Sequence, residues 1–554
     1  MKNKRILLMI SFLALGLHAV CLPVFAQQDN PKKIEKMITQ GINSAFASTV
    51  RISAYDTLKK KANFTAFSGV TVSKEGHVLT AAHAMKTNQY YQISFPDGSQ
   101  HIAVGMGRIA FKNDTVALDL GLIKIVDQGK WPYAALADNT KMKVSDLVLS
   151  ISCPESFAKK TPNVRLGRLT NTNFKSGVFE STCKMEPGDS GGGLFNGAGE
   201  LIGLHSYIKL GEEENFEIPV YYYQKYWAAL NVAKDYKQLP AEEEQVVVTK
   251  TELGDFKIVP VQNLIKLDQN QTVYTLPITS QLNGLQSSIL GTLVTFASKT
   301  YLVSKSSMVG VEPVVEIAKI KHSLKVLARQ TENDLVLLEV VGNALKGIVL
   351  NNRDSVKTTL SRPGSLLVSA LGGTQQYVSV LSSGLMPMPR SPGAFGANAS
   401  FINQKVTITQ IFPRGSADGV LKPKDIINSI NGNPITLPAH YNEQVSGFYN
   451  GDTILIDITR DGENMKLKMP IKLFESNHAA YRFTGGRSLR SDGFVSVFVH
   501  DAAIKANECG SPVFDVDHRF YGINIARHSR TSAIILPPSV IIDFINQSLK
   551  RTAK

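Results

Sequence analysis

Three short segments of this 554-residue chain carry side chains that together could perform acyl transfer. Gly188-Asp189-Ser190-Gly191-Gly192 is a glycine-rich turn around a serine. Thr80-Ala81-Ala82-His83 presents a histidine at the end of a strand, and Asp119 opens an alternating strand behind polar turn residues. A serine hydroxyl is a weak nucleophile near neutral pH and needs an adjacent base. An imidazole accepts that proton and returns it to the leaving amine, while a buried carboxylate fixes the useful tautomer and stabilises the imidazolium. Gly188, Asp189 and Ser190 form the turn that would face a developing oxyanion, with the N–H groups of Gly188 and Ser190 as donors. Such a donor is often worth about 2.7–4 kcal/mol. Each segment alone is ambiguous, since a lone histidine at a strand end is commonly structural and a lone aspartate commonly a turn residue. Their order (His, Asp, Ser, over about a hundred residues of short strands) is what joins them.

The elements that must position these residues are short strands with Gly and Asp turn signals, at 50–54, 69–72, 78–80, 91–95, 120–126 and 147–152. That pattern predicts barrels or sandwiches, not alternating parallel units. Apolar residues Ile34, Met37, Ile38 and Ile42 recur at helical spacing over 30–46. A helical stretch near 222–232 closes the first block, and 240–245 reads as a linker. The second half repeats the first. GHVLTAAHAM (76–85) lies over KTYLVSKSSM (299–308), DLGLIKI (119–125) over DLVLLEV (334–340), 144–150 over 364–370, and PGDSGGGLFNGAGELIG (187–203) over ANECGSPVFDVDHRFYG (506–522). In the second copy Ser306 falls where the histidine should be and Cys509 where the serine should be, while Asp334 remains. A cysteine with no aligned base lacks an activator, unless the fold brings His322, His500 or His528 to it. The last interval is about a hundred residues longer in the second copy, which marks an insertion.

SGVTVSKEGHVLTAAHAM (68–85), Asp114 with DLGLIKI, GDSGG, and the segments Gly203-Leu204-His205-Ser206 and Ile218-Pro219 resemble the trypsin-like serine proteases, most closely their HtrA/Deg branch. Gly193 departs from the usual proline after GDSGG, and His205 from a smaller polar residue on the pocket strand. The resemblance covers about 50–230. It implies a mostly β fold, a trypsin-like double β-barrel followed by a degenerate double β-barrel with an inserted PDZ domain. The boundaries expected are a signal peptide at 1–26, a protease domain at 27–235, a linker at 236–252, and the degenerate domain at 253–383 and 476–554 around a PDZ-like module at 384–475. His83 would be the general base, Asp119 its orienting partner and Ser190 the nucleophile. Leu204, His205 and Ser206 would bind substrate, and unfolded or peptide-like proteins would be the substrates. The insertion, with VTITQI (406–411), LKPKDII (421–427), ING (430–432) and GDTILIDI (451–458), resembles an HtrA-type PDZ domain. Such domains hold peptide C-termini by strand addition. Ala394, Phe395, Gly396 and Ala397 are the candidate carboxylate loop. In the family, Cys153 and Cys183 fall near the nucleophile loop, so a disulfide between them stands beside the alternative of two buried thiols.

Hydrophobic residues at 43% and charged residues at 19% exclude a disordered or fibrous chain. Four cysteines are too few for a disulfide-stapled scaffold. A positive stretch (Lys2, Lys4, Arg5), an apolar run over 6–17 and Val24-Phe25-Ala26 form a three-part secretory signal, with an uncleaved anchor as the alternative. Export to the periplasm or medium follows from that signal, with no stable membrane span elsewhere. The formal charge of +14, to which those three residues contribute, favours anionic partners in a general way, but no basic block interleaved with aromatics points to nucleic acid. No HExxH or CxxC spacing points to a metal or other cofactor. A homo-oligomer stays open, since the family often forms trimers and no residue here demands one. The rival reading is a catalytically silent peptide-binding scaffold or chaperone; a cysteine hydrolase at Cys509 is the third.

Overall fold

The computed structural model describes residues 30–552 except 115, 158–160, 174–175, 243–263, 268, 342–344, 352–361 and 474–477. The secretory signal at 1–26 and most of the linker at 236–252 lie outside the described residues.

Among the described residues the strands form four six-stranded barrels and one open six-stranded sheet. In the first barrel, Thr49–Asp56, Lys61–Thr71, His77–Thr80, Tyr90–Ser94, Gln100–Lys112 and Ala117–Ile125 close through pairing of the last two. The second closes from Leu147–Ser152, Asn163–Asn171, Phe179–Ser181, Gly193–Asn196, Leu201–Ile208 and Asn215–Pro219. Every residue of Leu147–Ser152 is buried because both of its faces are covered. Val148 points into the barrel beside Leu169, Phe179, Cys183, Leu194 and Ile202. Leu147, Leu149 and Ile151, on the opposite face by the period-2 pleat, join a larger core that reaches across both barrels.

The second half repeats this plan strand for strand. Its first barrel comprises Thr275–Leu282, Leu285–Phe296, Lys299–Lys305, Val311–Ile317, Ile320–Gln330 and Leu335–Val340. Its second comprises Leu366–Gly372, Gln375–Met388, Phe494–His500, Pro512–Asp515, Phe520–Arg527 and Ala533–Leu536. The cyclic pairing order matches that of the first copy in both barrels. The inserted sheet runs Ala397–Ile402, Lys405–Ile411, Ile426–Ile430, Thr453–Arg460 and Glu463–Pro470, with the helix Pro438–Ser446 against its first strand. It enters between Gln375–Met388 and Phe494–His500, where the first copy has only a short connection. It keeps a core of its own around Phe395, Ile408, Ile427, Ile456 and Met469.

The helix Pro31–Ser48 is capped by Asn30, whose side chain accepts from the Lys32 N–H at 3.0 Å. Ile34, Ile38, Ile42 and Ala45 form its buried stripe. That stripe sits on the seam between the two copies, in the same core as Leu149 and Phe195 from one and Leu366 and Val368 from the other. Among the described residues no helix is long and apolar enough to cross a membrane.

Candidate active site

His83 lies in the single 3₁₀ turn Ala82–Ala84 that follows His77–Thr80, on the rim of the first barrel. Its backbone N–H donates to Asp119 Oδ1 at 2.8 Å, and its Nδ1 lies 2.6 Å from Asp119 Oδ2. A carboxylate only accepts, so Nδ1 carries the proton and Nε2 is left to accept from Ser190 Oγ, 2.9 Å away. The fold thus brings His83, Asp119 and Ser190 into one hydrogen-bonded line. Ser206 Oγ donates to Asp119 Oδ2 at 2.6 Å, and Tyr223 Oη donates to the Thr80 carbonyl at 2.7 Å. Burial alone would raise the Asp119 carboxyl, but the bonds from His83 and Ser206 outweigh it and hold the group below its ordinary value. The same Asp119 bond raises the His83 imidazole above 6.5, against the effect of burial.

The turn before Ser190 is held by its carbonyls. Pro187 O accepts from the Glu155 N–H at 2.9 Å, and Asp189 O accepts from the Gly192 N–H at 2.8 Å. In a trans peptide the C=O and the following N–H point opposite ways. The N–H groups of Gly188 and Ser190 are therefore turned from these partners, and among the described residues neither donates to a backbone carbonyl. Gly188 has φ +96°, and a Cβ there would lie 2.5 Å from Glu155 N and 2.9 Å from Cys153 O. Asp189 differs from its neighbours: its N–H donates to Glu186 O at 3.1 Å and is not an oxyanion donor. Its buried carboxylate pairs with Arg165 (2.7 Å) and accepts from Ser152 Oγ and the Glu186 N–H.

Sequence reasoning passed over the residues that anchor this turn. Ser68 donates from Oγ to Gly188 O (2.7 Å) and from N–H to Ser190 O (2.9 Å), and its Oγ accepts from the Cys153 N–H. Arg165 was detectable as a charge inside the otherwise apolar strand start Val164-Arg165-Leu166. Ser68 and Glu155 carried no signal, since both act on backbone groups that only the fold juxtaposes.

A cleft of about 600 Å³ opens beside Ser190, lined among others by Phe67, Met185, Glu186, Tyr207, Ile208 and His478. Of the three residues expected to bind substrate, Ser206 lines it, but Leu204 and His205 do not. Leu204 is in the core, because the first five residues of Leu201–Ile208 are all buried. His205 is fully buried behind the nucleophile turn, with Nε2 2.7 Å from Ser150 Oγ and Nδ1 3.3 Å from Glu217 Oε1. Burial drives its pKa down to about 3, and raises Glu217 well above the carboxylate range. The ring is neutral and structural. Cys153 and Cys183 are free. Cys183 lies inside the barrel with Val148, whereas Cys153 follows the opposite face of Leu147–Ser152 and serves the nucleophile turn, so the two thiols belong to different environments. Burial pushes the Cys153 thiol up to about 12 and raises that of Cys183 as well.

In the second copy the counterpart of His83 is Ser307, not Ser306. Ser307 donates from N–H to Asp334 Oδ1 (2.7 Å) and from Oγ to Asp334 Oδ2 (2.8 Å), reproducing both His83 contacts one residue later than the aligned motif. Asp334 is further tied to the buried Lys305 Nζ at 2.7 Å. Cys509 is buried, with its thiol raised by burial, and contacts Ser488 Oγ at 3.7 Å. His500 bonds Ser379 and His528 bonds backbone carbonyls, so neither ring is aimed at Cys509. His322 pairs in the other barrel, on the strand Ile320–Gln330. Gly510 keeps the positive φ of Gly191, but Asn507, in the place of Gly188, does not adopt that conformation.

In the inserted module, Ala394 O accepts from Ser416 Oγ, and Phe395 O from the Ala417 N–H. The following N–H groups of Phe395 and Gly396 point the other way, and among the described residues neither meets a backbone carbonyl. The strand Ala397–Ile402 has an open edge. Tyr441 Oη donates to Ala397 O at 2.8 Å and its ring stands edge-on to Phe395.

Residues 67–204 match the trypsin-like peptidase domain and residues 393–471 the PDZ domain. Similar proteins include a probable periplasmic serine endoprotease DegP-like of Pseudomonas putida, 30% identical over 26% of this chain and 29% of the relative. The DegP-like protein of Rhizobium meliloti is 24% identical over 26% and 27%, and human serine protease HTRA4 is 24% identical over 27% and 32%. The chain thus spans under a third of the length of these relatives. The crystal structure of the serine endoprotease from Yersinia pestis aligns over 79% of this chain and 97% of that one, at 16% identity and a TM-score of 0.30. The two family matches fall on the first barrel pair and the inserted sheet, so the chain carries a region similar to the trypsin-like peptidase domain and one similar to the PDZ domain, and the first is also the part similar to the DegP-like relatives.

Proposed function

We propose that this protein is an exported serine endopeptidase that cuts unfolded or peptide-like protein segments through an acyl-enzyme. The observation that carries the reading is the continuous line Asp119–His83–Ser190 ending at two disengaged N–H groups. Ser190 Oγ attacks the peptide carbonyl as His83 Nε2 takes its proton, and the carbonyl oxygen, now anionic, is met by the Gly188 and Ser190 N–H groups. His83 then hands the proton to the departing amine, leaving the acyl group on Ser190. Water attacks the acyl carbon as His83 takes its proton, and the acyl–Oγ bond then breaks as His83 returns that proton to Ser190, releasing the acid and restoring the site. Asp119 keeps Nδ1 protonated throughout and stabilises the transient imidazolium.

The PDZ module binds peptide C-termini on this reading, with the Phe395 and Gly396 N–H groups at the carboxylate and the peptide added as a strand to Ala397–Ile402. Export is supported by the leader-like residues 1–26 and by the word periplasmic in the names of several relatives. Cleavage of casein by the wild-type protein, lost in Ser190→Ala, together with a fluorophosphonate adduct on Ser190, is the expected result. Equal digestion by both proteins overturns the peptidase reading, and absence of any adduct favours the silent scaffold.

A further inference from the structure

The degenerate second copy touches the first at the loops that shape the cleft. The segment 528–532 joins Phe520–Arg527 to Ala533–Leu536, and its counterpart in the first copy is the loop 209–214, just beyond the cleft residues Ser206, Tyr207 and Ile208. These two corresponding loops meet face to face. Arg530, fully buried, donates to Lys209 O (3.2 Å) and Gly211 O (2.5 Å). Arg527 pairs with Glu212 Oε2 at 3.2 Å, and the Thr484 N–H donates to Glu212 Oε1 at 2.8 Å.

A second contact reaches the nucleophile turn by another route. His528, also buried, has Nε2 3.1 Å from Ser156 O and Nδ1 2.8 Å from Ser491 O, two carbonyls that a neutral ring meets with one N–H and a doubly protonated ring with two, and its ring packs on Phe157. Ser156 Oγ in turn donates to Glu186, on the wall of the cleft. Its neighbour Glu155 supplies the N–H that holds Pro187 O and so directs the Gly188 N–H. The carbonyl gripped by the second copy and the N–H that sets the oxyanion donor thus belong to adjacent residues.

We infer that the second copy is a built-in brace for the first: His528 positions the Gly188 oxyanion donor through Ser156 and Glu155, and Arg527 and Arg530 position the cleft wall through loop 209–214. This rests on the serine peptidase reading above. The two contacts act on different steps, because a displaced oxyanion donor is felt in the transition state whereas a displaced wall is felt when substrate binds.

The test uses the full-length chain, a chromogenic peptide substrate and thermal unfolding. His528→Ala lowers kcat by roughly 10–100-fold with KM within about twofold, and His528→Gln, which restores a donor toward Ser156 O, recovers most of the loss. Glu212→Ala, which releases loop 209–214 from Arg527 and Thr484, raises KM by roughly 5–10-fold with kcat within about twofold. Wild-type constants in both alanine variants overturn the brace. So does a loss of kcat and KM together that follows a lowered Tm and that His528→Gln fails to rescue. If the wild-type protein takes no fluorophosphonate on Ser190, the peptidase reading fails and the brace fails with it; if it labels and the variants are unchanged, the brace alone fails.

Discussion

At the scale of single residues, the proposed peptidase chemistry depends on which nitrogen of His83 is free. The Asp119 bond raises the imidazole, so the neutral, base-competent form is lost as pH falls through a midpoint above the ordinary 6.5. Activity against pH is therefore expected to show an acid limb above that value. In Asp119→Asn the limb shifts to lower pH, and kcat falls by about 10⁴-fold because the wrong tautomer is favoured. A limb that stays in place in steady-state pH profiles would remove Asp119 from this role. His205 offers a stability counterpart. Its folded-state pKa of about 3 lies below the free imidazole value of 6.5, so its contribution is intact above about 6.5 and is lost as pH falls toward 3. The loss is on the order of 5 kcal/mol at full extent. Asn524 occupies the same place in the second copy, bonded to Ser369 as His205 is to Ser150. His205→Asn is accordingly expected to fold and to flatten the acid side of urea-denaturation stability between those limits; an unchanged pH slope counts against it.

At the scale of elements, the nucleophile turn is the part least tolerant of change. Gly188→Ala puts a methyl group against Glu155 N and Cys153 O at a positive φ, so the turn must move. Acylation measured in the pre-steady state should slow by about 10²–10³-fold, the cost of one oxyanion donor, with substrate affinity little altered. An acylation rate equal to wild type would show that the Gly188 N–H is idle. The strands and the repeat were legible in the sequence because alternation, turn residues and a matched order of segments are local signals. What was not legible depends on register and facing. His205 belongs to the same strand as Ser206 but points into the core, and motif-to-motif matching put Ser306 where the 3₁₀ turn presents Ser307. The pairing of Cys153 with Cys183 failed for the same reason: proximity in a loop cluster says nothing about which side of a strand a thiol takes. Ser68 is held by long-range contacts to Gly188 and Cys153, which no single-chain pattern encodes.

At the scale of the whole molecule, the two copies meet in one shared hydrophobic cluster beside clusters of their own, while the PDZ module has a separate one. Calorimetry of the full chain should resolve two transitions, the smaller one belonging to the PDZ module and moved alone by Ile456→Ala, which costs about 2–5 kcal/mol in that core. Two separate transitions for the two barrel pairs would contradict the shared core. The seam helix Pro31–Ser48 has a further consequence. Glu35 accepts from the Leu366 N–H, a partner made 331 residues later, and Lys32 pairs with Asp517, more distant still. During synthesis this helix is born early and seated late. Until the second copy emerges, its greasy stripe has only half a bed, and that face stays uncovered while the first copy waits.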